Sequence, residues 1–134
     1  MRYRFIDHTA DVAFEVYGKN MEELLENSAY AFYEAFVDTS RLKGSEKKVF
    51  DVEAEEEDLL LYRFLNELLF LLETHFFAGR KVKVRINGNK ATAEIEGGRV
   101  VREAIKVEPK AITMHKFGIR KDGDRLVTFI VVDI

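Results

Sequence analysis

Residues 126–132 read LVTFIVV, and Thr128 is the only polar side chain among these seven. A short apolar run that is rich in β-branched residues is typical of a strand buried on both faces. Such a strand has a neighbouring strand on each side. The run therefore predicts an interior strand of a sheet, and the rest of the chain should supply its neighbours.

Two hairpins are predicted in the C-terminal half. Residues 110–121, KAITMHKFGIRK, form one arm of a hairpin that turns around Asp122-Gly123 and returns through the apolar run. Residues 81–96, KVKVRINGNKATAEIE, form the other hairpin, with a two-residue turn inside Asn-Gly-Asn at 87–89. The two-residue turn fixes how the two arms of this hairpin pair. The pairing gives the hairpin one apolar face and one face on which cations oppose mainly acidic side chains.

The remaining elements are three strands and two helices. Asn20 is a suitable N-cap for the first helix, and Glu23 stands three residues later, as in a capping box. Apolar spacing continues to about residue 37 and leaves Glu22, Glu26 and Glu34 in water. The strands are predicted at 2–6, 12–17 and 47–55, and the second helix at 55–77.

This order of elements predicts an α+β fold: mostly antiparallel β-sheets with two main α-helices packed on them. No internal repeat, linker or low-complexity tract divides the 134 residues, so residues 1–134 are expected to form one domain. The second helix is apolar on nearly every side, which predicts a central position. Arg63 and Glu67 interrupt it and argue against a membrane span.

Composition limits the possible functions. The chain has no Cys, which excludes a disulfide framework and a thiolate metal site, and its charged N-terminus lacks the apolar core of a signal peptide. A cytoplasmic location is expected. The net charge of -3 gives no basic field for autonomous nucleic-acid binding. No nucleophile or phosphate-loop motif is present. The composition, rich in Lys and Glu, favours a thermophile as the source.

Polar side chains are concentrated at both ends of the chain. Residues 7–11 read DHTAD, and the apolar strand leads into Asp133 and the carboxylate of Ile134. If the first strands pair with the last strand, oxygen ligands from both ends meet. Such a site would suit a hard divalent ion such as Ca²⁺, Mg²⁺ or Mn²⁺.

Simpler interpretations of these residues stay open. Asp and Thr at a turn often bond only to the local backbone, and an Asp near a chain end is often merely solvated. His115, between Lys110 and Lys116 in sequence, is as readily explained as a half-buried packing residue on a strand. His75, near the end of the second helix, suits the negative end of the helix dipole.

Four blocks of the sequence form a pattern: FIDHTADVAFEVYGKNMEELLENSAYAF at 5–32, LLLYRFLNELLFLLE at 59–73, KAITMH at 110–115 and FIVVDI at 129–134. With these blocks in this order, the sequence resembles the archease family over nearly its whole length. Met114 departs from the family pattern, in which a tyrosine is expected before the histidine.

The resemblance implies a non-catalytic protein cofactor of the RtcB-type RNA ligase, which joins tRNA exon halves with GTP and a metal. Archeases promote guanylylation of the ligase histidine and allow repeated turnover in tRNA splicing. On this basis the expected metal ligands, with calcium as the family's metal, are Asp11, Asp133 and the carboxylate of Ile134. The expected neighbours of the site are Asp7, His8, Lys110 and His115. Contact with tRNA would be indirect, through the ligase.

Two other functions remain as alternatives. A free-standing metal-dependent hydrolase or nuclease could use the same carboxylates, and turnover without any ligase would identify it. A chaperone-like binding module could use the apolar second helix, and it should bind many exposed apolar segments rather than one ligase.

Overall fold

The computed structural model describes residues 1–6, 11–114 and 117–134. These residues form one five-stranded sheet, one three-stranded sheet and two α-helices, which confirms the predicted α+β class. In chain order the elements are β1 (Tyr3–Ile6), β2 (Asp11–Gly18), α1 (Met21–Phe36), β3 (Lys43–Glu53), α2 (Glu57–His75), β4 (Phe77–Asn87), β5 (Lys90–Arg99), β6 (Ala111–Ile112), β7 (Ile119–Asp122) and β8 (Arg125–Asp133).

The five-stranded sheet is built around β8. Strand β2 pairs with one edge of β8, β6 and β7 pair with its other edge, and β1 pairs with the free edge of β2. All these pairings are antiparallel. The prediction of an interior strand buried on both faces is confirmed, because residues of both parities are buried: Val127, Thr128, Ile130, Val131 and Val132.

The three-stranded sheet has the order β3-β5-β4. Its β4–β5 turn is Gly88-Asn89, with Gly88 at φ 65°, and the predicted pairing of Ile86 with Ala91 is present. The turn of the other hairpin lies one residue later than expected. Asp122 is still paired with Arg125, so the two turn residues are Gly123-Asp124.

The prediction of one continuous arm over 110–121 is wrong. Strand β6 ends at Ile112 and β7 begins at Ile119, and two backbone groups at the start of β7 bond to side chains. The Gly118 carbonyl accepts from the Thr128 hydroxyl at 2.9 Å, and the Ile119 amide donates to an Asp58 carboxylate oxygen at 3.1 Å. These two bonds take the place of backbone hydrogen bonds that a continuous strand would make to β8. The strand position predicted for His115 lies outside the described residues.

Helix α1 begins as predicted. The Asn20 side chain accepts from the Glu23 amide at 2.9 Å, and the Glu23 carboxylate accepts from the Lys19 amide at 3.1 Å. The expectation that Glu22 and Glu26 stay in water is wrong. Their carboxylates accept from the amides of Ile86 and Val84, each at 2.8 Å, on the edge of β4 that β5 does not cover.

Both helices contact both sheets, so they share one apolar core with them. Helix α1 packs on β2 and β4, and α2 packs on β3, β4 and β6. Helix α2 is shorter than predicted by two residues at each end. At its C-terminal end, Phe76 adopts a left-handed conformation (φ 51°) and Phe77 starts β4. No helix among the described residues is long and apolar enough to cross a membrane.

Candidate metal site at the paired chain ends

Two aspartates from opposite ends of the chain lie next to each other. The register of β2 and β8 places Asp11, the first residue of β2, directly opposite Asp133, the last residue of β8. The predicted site required one of the first strands to pair with the last strand. The pairing of β2 with β8 meets this condition. Directly opposed residues of an antiparallel pair have Cβ atoms about 5 Å apart and project from the same face of the sheet.

The electrostatics of this pair reflect the closeness of the two carboxyl groups. A hydrogen bond to the Asp11 carboxyl raises the pKa of Asp133, and desolvation and the neighbouring negative charge raise it further. The positive charge of Lys110 acts in the opposite direction. Two carboxylates in such contact repel each other unless a proton or a cation is shared between them. The pair has the chemistry of a cation-binding site.

Lys110 also lies beside the pair. Its backbone amide donates to the Asp133 carbonyl at 2.7 Å, and the next residue, Ala111, is paired with Asp133. Ile134 follows Asp133 at the end of β8 and is 42% exposed. Of the seven predicted site residues, four lie in the described part: Asp11 and Asp133 as an opposed pair, with Lys110 and Ile134 adjacent to Asp133.

The other three predicted residues, Asp7, His8 and His115, lie outside the described residues. Within the described ranges, no group of three or more acidic, His or Cys side chains is placed to hold a metal ion. The donor chemistry that is described nevertheless fits a hard divalent ion, because carboxylate oxygens are the ligands that Ca²⁺ and Mg²⁺ prefer. His75 lies apart from this pair, at the last residue of α2 and against the Phe70 ring.

A polar cluster on the same face of the sheet was not predicted. Glu15, four pairs along the β2–β8 ladder from Asp11 and Asp133, accepts from the Tyr17 hydroxyl at 2.6 Å and from Arg4 Nε at 3.1 Å. Arg120 lies 3.6 Å from its other oxygen. The Tyr17 hydroxyl and then Arg4 hold the pKa of Glu15 below its usual range. The sequence did contain a signal for this cluster. Side chains alternate between the two faces of a strand, which puts Asp11, Glu15 and Tyr17 of β2 on one face.

Comparisons with known proteins agree with the fold and with the order of the sequence blocks. The model of the Archease protein family (MTH1598/TM1083) matches residues 3–134. The chain is 55% identical to protein archease of Archaeoglobus fulgidus, with both chains covered completely. It is 33% identical to protein archease of Methanothermobacter thermautotrophicus, over 98% of each chain.

Two solved structures share the architecture. The solution structure of Methanobacterium thermoautotrophicum protein 1598 has a TM-score of 0.82 and 31% identity, and the match covers 98% of each chain. The crystal structure of an archease from Thermotoga maritima, described as a possible chaperone, has a TM-score of 0.71 and 29% identity, and the match covers 100% of this chain and 98% of the other. With nearly its whole length matched by the family model and by these relatives, the chain belongs to the archease family.

Proposed function

We propose that this chain is an activator of an RtcB-type RNA ligase and that the paired aspartates at its ends act on the ligase. Membership of the archease family supports the choice of partner. The opposed pair Asp11 and Asp133 is the observation that carries the proposal, because it joins two motifs of the family resemblance at one end of one sheet. The activity proposed is promotion of ligase guanylylation by GTP and of multiple turnover in tRNA exon joining.

The pair would hold a divalent cation together with the terminal carboxylate of Ile134. Calcium is the first choice, and Mg²⁺ or Mn²⁺ would suit the same oxygen donors. The ion, when bound, supplies positive charge that can organise phosphate or carboxylate oxygens. Asp11 and Asp133 would orient such an ion, and Lys110 would add positive charge close to Asp133. Asp7, His8 and His115 are proposed neighbours of this site.

The role proposed for the chain is positioning rather than catalysis. The ligase supplies the reacting histidine, GTP and the RNA site, and this chain contributes charge at a defined place. A chain with a net charge of -3 has little reason to bind RNA by itself, so contact with tRNA is proposed to occur through the ligase. We therefore expect the ligase surface that contacts the paired aspartates to be basic or to bind a metal ion.

Guanylylation of the purified ligase tests the proposal. We expect the wild-type chain to accelerate transfer of GMP to the ligase, and Asp11→Asn and Asp133→Asn each to abolish most of the acceleration. Asp124→Asn makes the same change in charge in the turn at the opposite end of β8 and should stimulate as the wild type does. Normal stimulation by both variants of the pair would refute the role of the carboxylates.

Two rival functions are separated by simple assays. Cleavage of RNA or nucleotides by the purified chain with Mg²⁺ or Mn²⁺, without ligase, would favour a hydrolase. The Thermotoga maritima relative is described as a possible chaperone, and Phe70 on α2 is 48% exposed here. Suppression of aggregation of several unrelated proteins, undiminished in Asp133→Asn, would favour a chaperone-like module.

A further inference from the structure

A second polar cavity lies away from the paired aspartates. It has a volume of about 310 Å³ and lies between the C-terminal half of α1, the start of β1 and the β4 residues Gly79 and Arg80. Its lining includes Tyr33 together with three cations, Arg2, Arg80 and Lys106. We call it the Tyr33 cavity. Pockets of about this size accept small ligands.

Tyr33, one of the residues that line the cavity, carries a buried hydroxyl that has no hydrogen-bond partner in the described part of the chain. The side chain is 2% exposed, and among the described residues its hydroxyl is the buried side-chain polar atom without a hydrogen-bond partner. Burial raises the pKa of Tyr33, and the nearby Gly79 backbone amide only partly offsets the rise. The hydroxyl therefore keeps its proton. An amide can only donate to the oxygen, so the proton needs an acceptor from elsewhere.

The three cations of the cavity are not neutralised by carboxylates. Arg80 donates to the backbone carbonyls of Thr39 and Leu42 at 3.2 and 3.0 Å, and Lys106 Nζ donates to the Glu34 carbonyl at 2.9 Å. Arg2 lies over the Tyr30 ring, 4.8 Å from its centre. Within the described ranges none of these cations forms an ion pair with a carboxylate oxygen within 4.0 Å. The charge of Lys106 acts on the Asp38 carboxyl, but within the same ranges no close ion pair competes with an anion for the three cations.

The position of Arg80 is fixed by the strand itself. The β4–β5 register shifts between Gly79 and Lys81, so Arg80 is the extra residue of a bulge. Bulges redirect a side chain out of the regular alternation of a strand. The two bonds to carbonyls then hold the guanidinium at the wall of the cavity and leave donors of the guanidinium free.

The two acidic residues of the cavity are already engaged. The Glu34 carboxylate interacts with the Tyr3 hydroxyl and, after burial, is the next cause that raises the pKa of Tyr3. The Asp38 carboxylate accepts from the amide and hydroxyl of Ser40 and lies 3.3 Å from Arg41 Nε. These partners, together with the charge of Lys106 near Asp38, reduce the repulsion that the acids would exert on an anion. The cavity lining still carries three cations against two acids.

We propose that the Tyr33 cavity binds a phosphate group, with the Tyr33 hydroxyl donating to one oxygen and Arg80, Lys106 and Arg2 supplying the positive charge. The group can be free phosphate or the phosphate of a small phosphomonoester. A charged oxygen acceptor satisfies the buried hydroxyl and gives the three cations a common counter-charge. The site goes beyond the ligase activation proposed above and depends on none of its residues.

The Tyr33 cavity is separate from the paired aspartates. Tyr3, in its lining, pairs with Val16, which is five residues along β2 from Asp11. At about 3.3 Å per strand residue this is roughly 16 Å. Loss of phosphate binding and loss of cation binding at the chain ends can therefore be measured independently in the same protein.

Titration with inorganic phosphate, followed through the backbone amide signals of Gly79 and Arg80 by NMR, tests the proposal. We expect saturable shifts in the wild type and a dissociation constant at least about tenfold higher in Tyr33→Phe, because the variant lacks a charge-assisted hydrogen bond. Lys106→Met should also weaken binding. Lys81→Met removes the same charge from an exposed position outside the cavity and should bind as the wild type does.

Thermal unfolding gives a second readout that does not depend on the NMR signals. At equal ionic strength, phosphate should raise the Tm of the wild type more than chloride does, and Tyr33→Phe should lose this difference. In chloride alone, Tyr33→Phe should unfold no earlier than the wild type, because it removes an unpartnered buried hydroxyl.

Glycerol phosphate distinguishes the two sources of the group. Tighter binding of the ester than of phosphate would indicate a phosphorylated small molecule, and equal or weaker binding would indicate free phosphate; both support the site. Equal phosphate affinity in the wild type, Tyr33→Phe and Lys106→Met would overturn the proposal. A lack of saturable shifts at Gly79 and Arg80 in the wild type would overturn it as well.

Discussion

At the scale of single residues, the account depends on two carboxyl groups that are brought together by strand pairing. The hydrogen bond with Asp11 raises the pKa of Asp133, because two adjacent negative charges are unfavourable, and a cation between them would relieve this repulsion. We expect calorimetric titration with Ca²⁺ to show one bound ion in the wild type. Asp11→Asn and Asp133→Asn should each weaken binding at least about tenfold, because each removes a charged ligand.

The control for this titration is Asp124→Asn, which leaves the pair intact and should bind Ca²⁺ as the wild type does. Unchanged affinity in both variants of the pair would show that the ion is held elsewhere.

Glu15 makes the free energy of unfolding depend on pH, and the sign of this dependence follows from the contacts of its carboxylate. The Tyr17 hydroxyl, and then Arg4, hold the pKa of Glu15 below that of an unfolded chain, about 4.3. The unfolded state thus takes up a proton first, and the stabilisation is present above this pH and is lost as the pH falls through the lower folded-state pKa. Glu15→Gln should therefore lower the free energy of unfolding at pH 7 and have less effect at pH 3.

Urea unfolding of the wild type and Glu15→Gln at the two pH values measures this effect. Glu103→Gln, at an exposed residue, is the control and should show little effect at either pH. A difference between wild type and Glu15→Gln that is the same at pH 3 and pH 7 would contradict the assignment.

At the scale of elements, the two helices begin in different ways. Asn20 caps α1 with its side chain, whereas Glu56, the N-cap of α2, makes no side-chain capping bond. Asn20→Ala should lower the free energy of unfolding by about 1 kcal/mol, and Glu56→Ala should change it by less than about 0.5 kcal/mol. Urea unfolding checks both. Equal losses in the two variants would show that the Asn20 bond contributes little.

The outer edge of β4 is covered by side chains of α1. Glu22, Glu26 and Tyr30 accept from the amides of Ile86, Val84 and Val82. Such protection keeps an edge strand from pairing with another chain. Glu26→Ala should cost about 1–2 kcal/mol and accelerate hydrogen exchange at the Val84 amide, while the Val82 amide, still bonded to Tyr30, stays protected. Unaltered exchange at Val84 would contradict this role.

Sequence periodicity predicted the helices and strands well, but it predicted the side-chain contacts between them poorly. The apolar run 126–132 predicted its own burial, and the Asn-Gly-Asn turn predicted the register of β4 and β5, because these signals are local. The break between β6 and β7 was missed because it involves Asp58, 61 residues away in sequence. The bonds from α1 to β4 were missed for the same reason, since they join residues 52 to 64 positions apart.

The candidate site was predicted in part. Asp11 and Asp133 could be selected from sequence because the family resemblance marks both, and the pairing of β2 with β8 places them opposite each other. The Glu15 cluster needed the order of strands in the sheet, since Arg4 and Arg120 reach it from strands on different sides. The Tyr33 cavity has no sequence signal, because its three cations come from three separate segments, one of which is a bulge.

At the scale of the whole molecule, the fold brings Asp11, from the first part of the chain, beside Asp133, from its last strand, at one end of one sheet, and it leaves the Tyr33 cavity elsewhere. The central proposal is that this pair of aspartates makes an RtcB-type ligase turn over. Its most direct test is ligation of tRNA exon halves with substrate in excess over ligase, with and without this chain. The account predicts many products per ligase with the wild type and about one per ligase with Asp133→Asn; repeated turnover with Asp133→Asn, or a single turnover with the wild type, would contradict it.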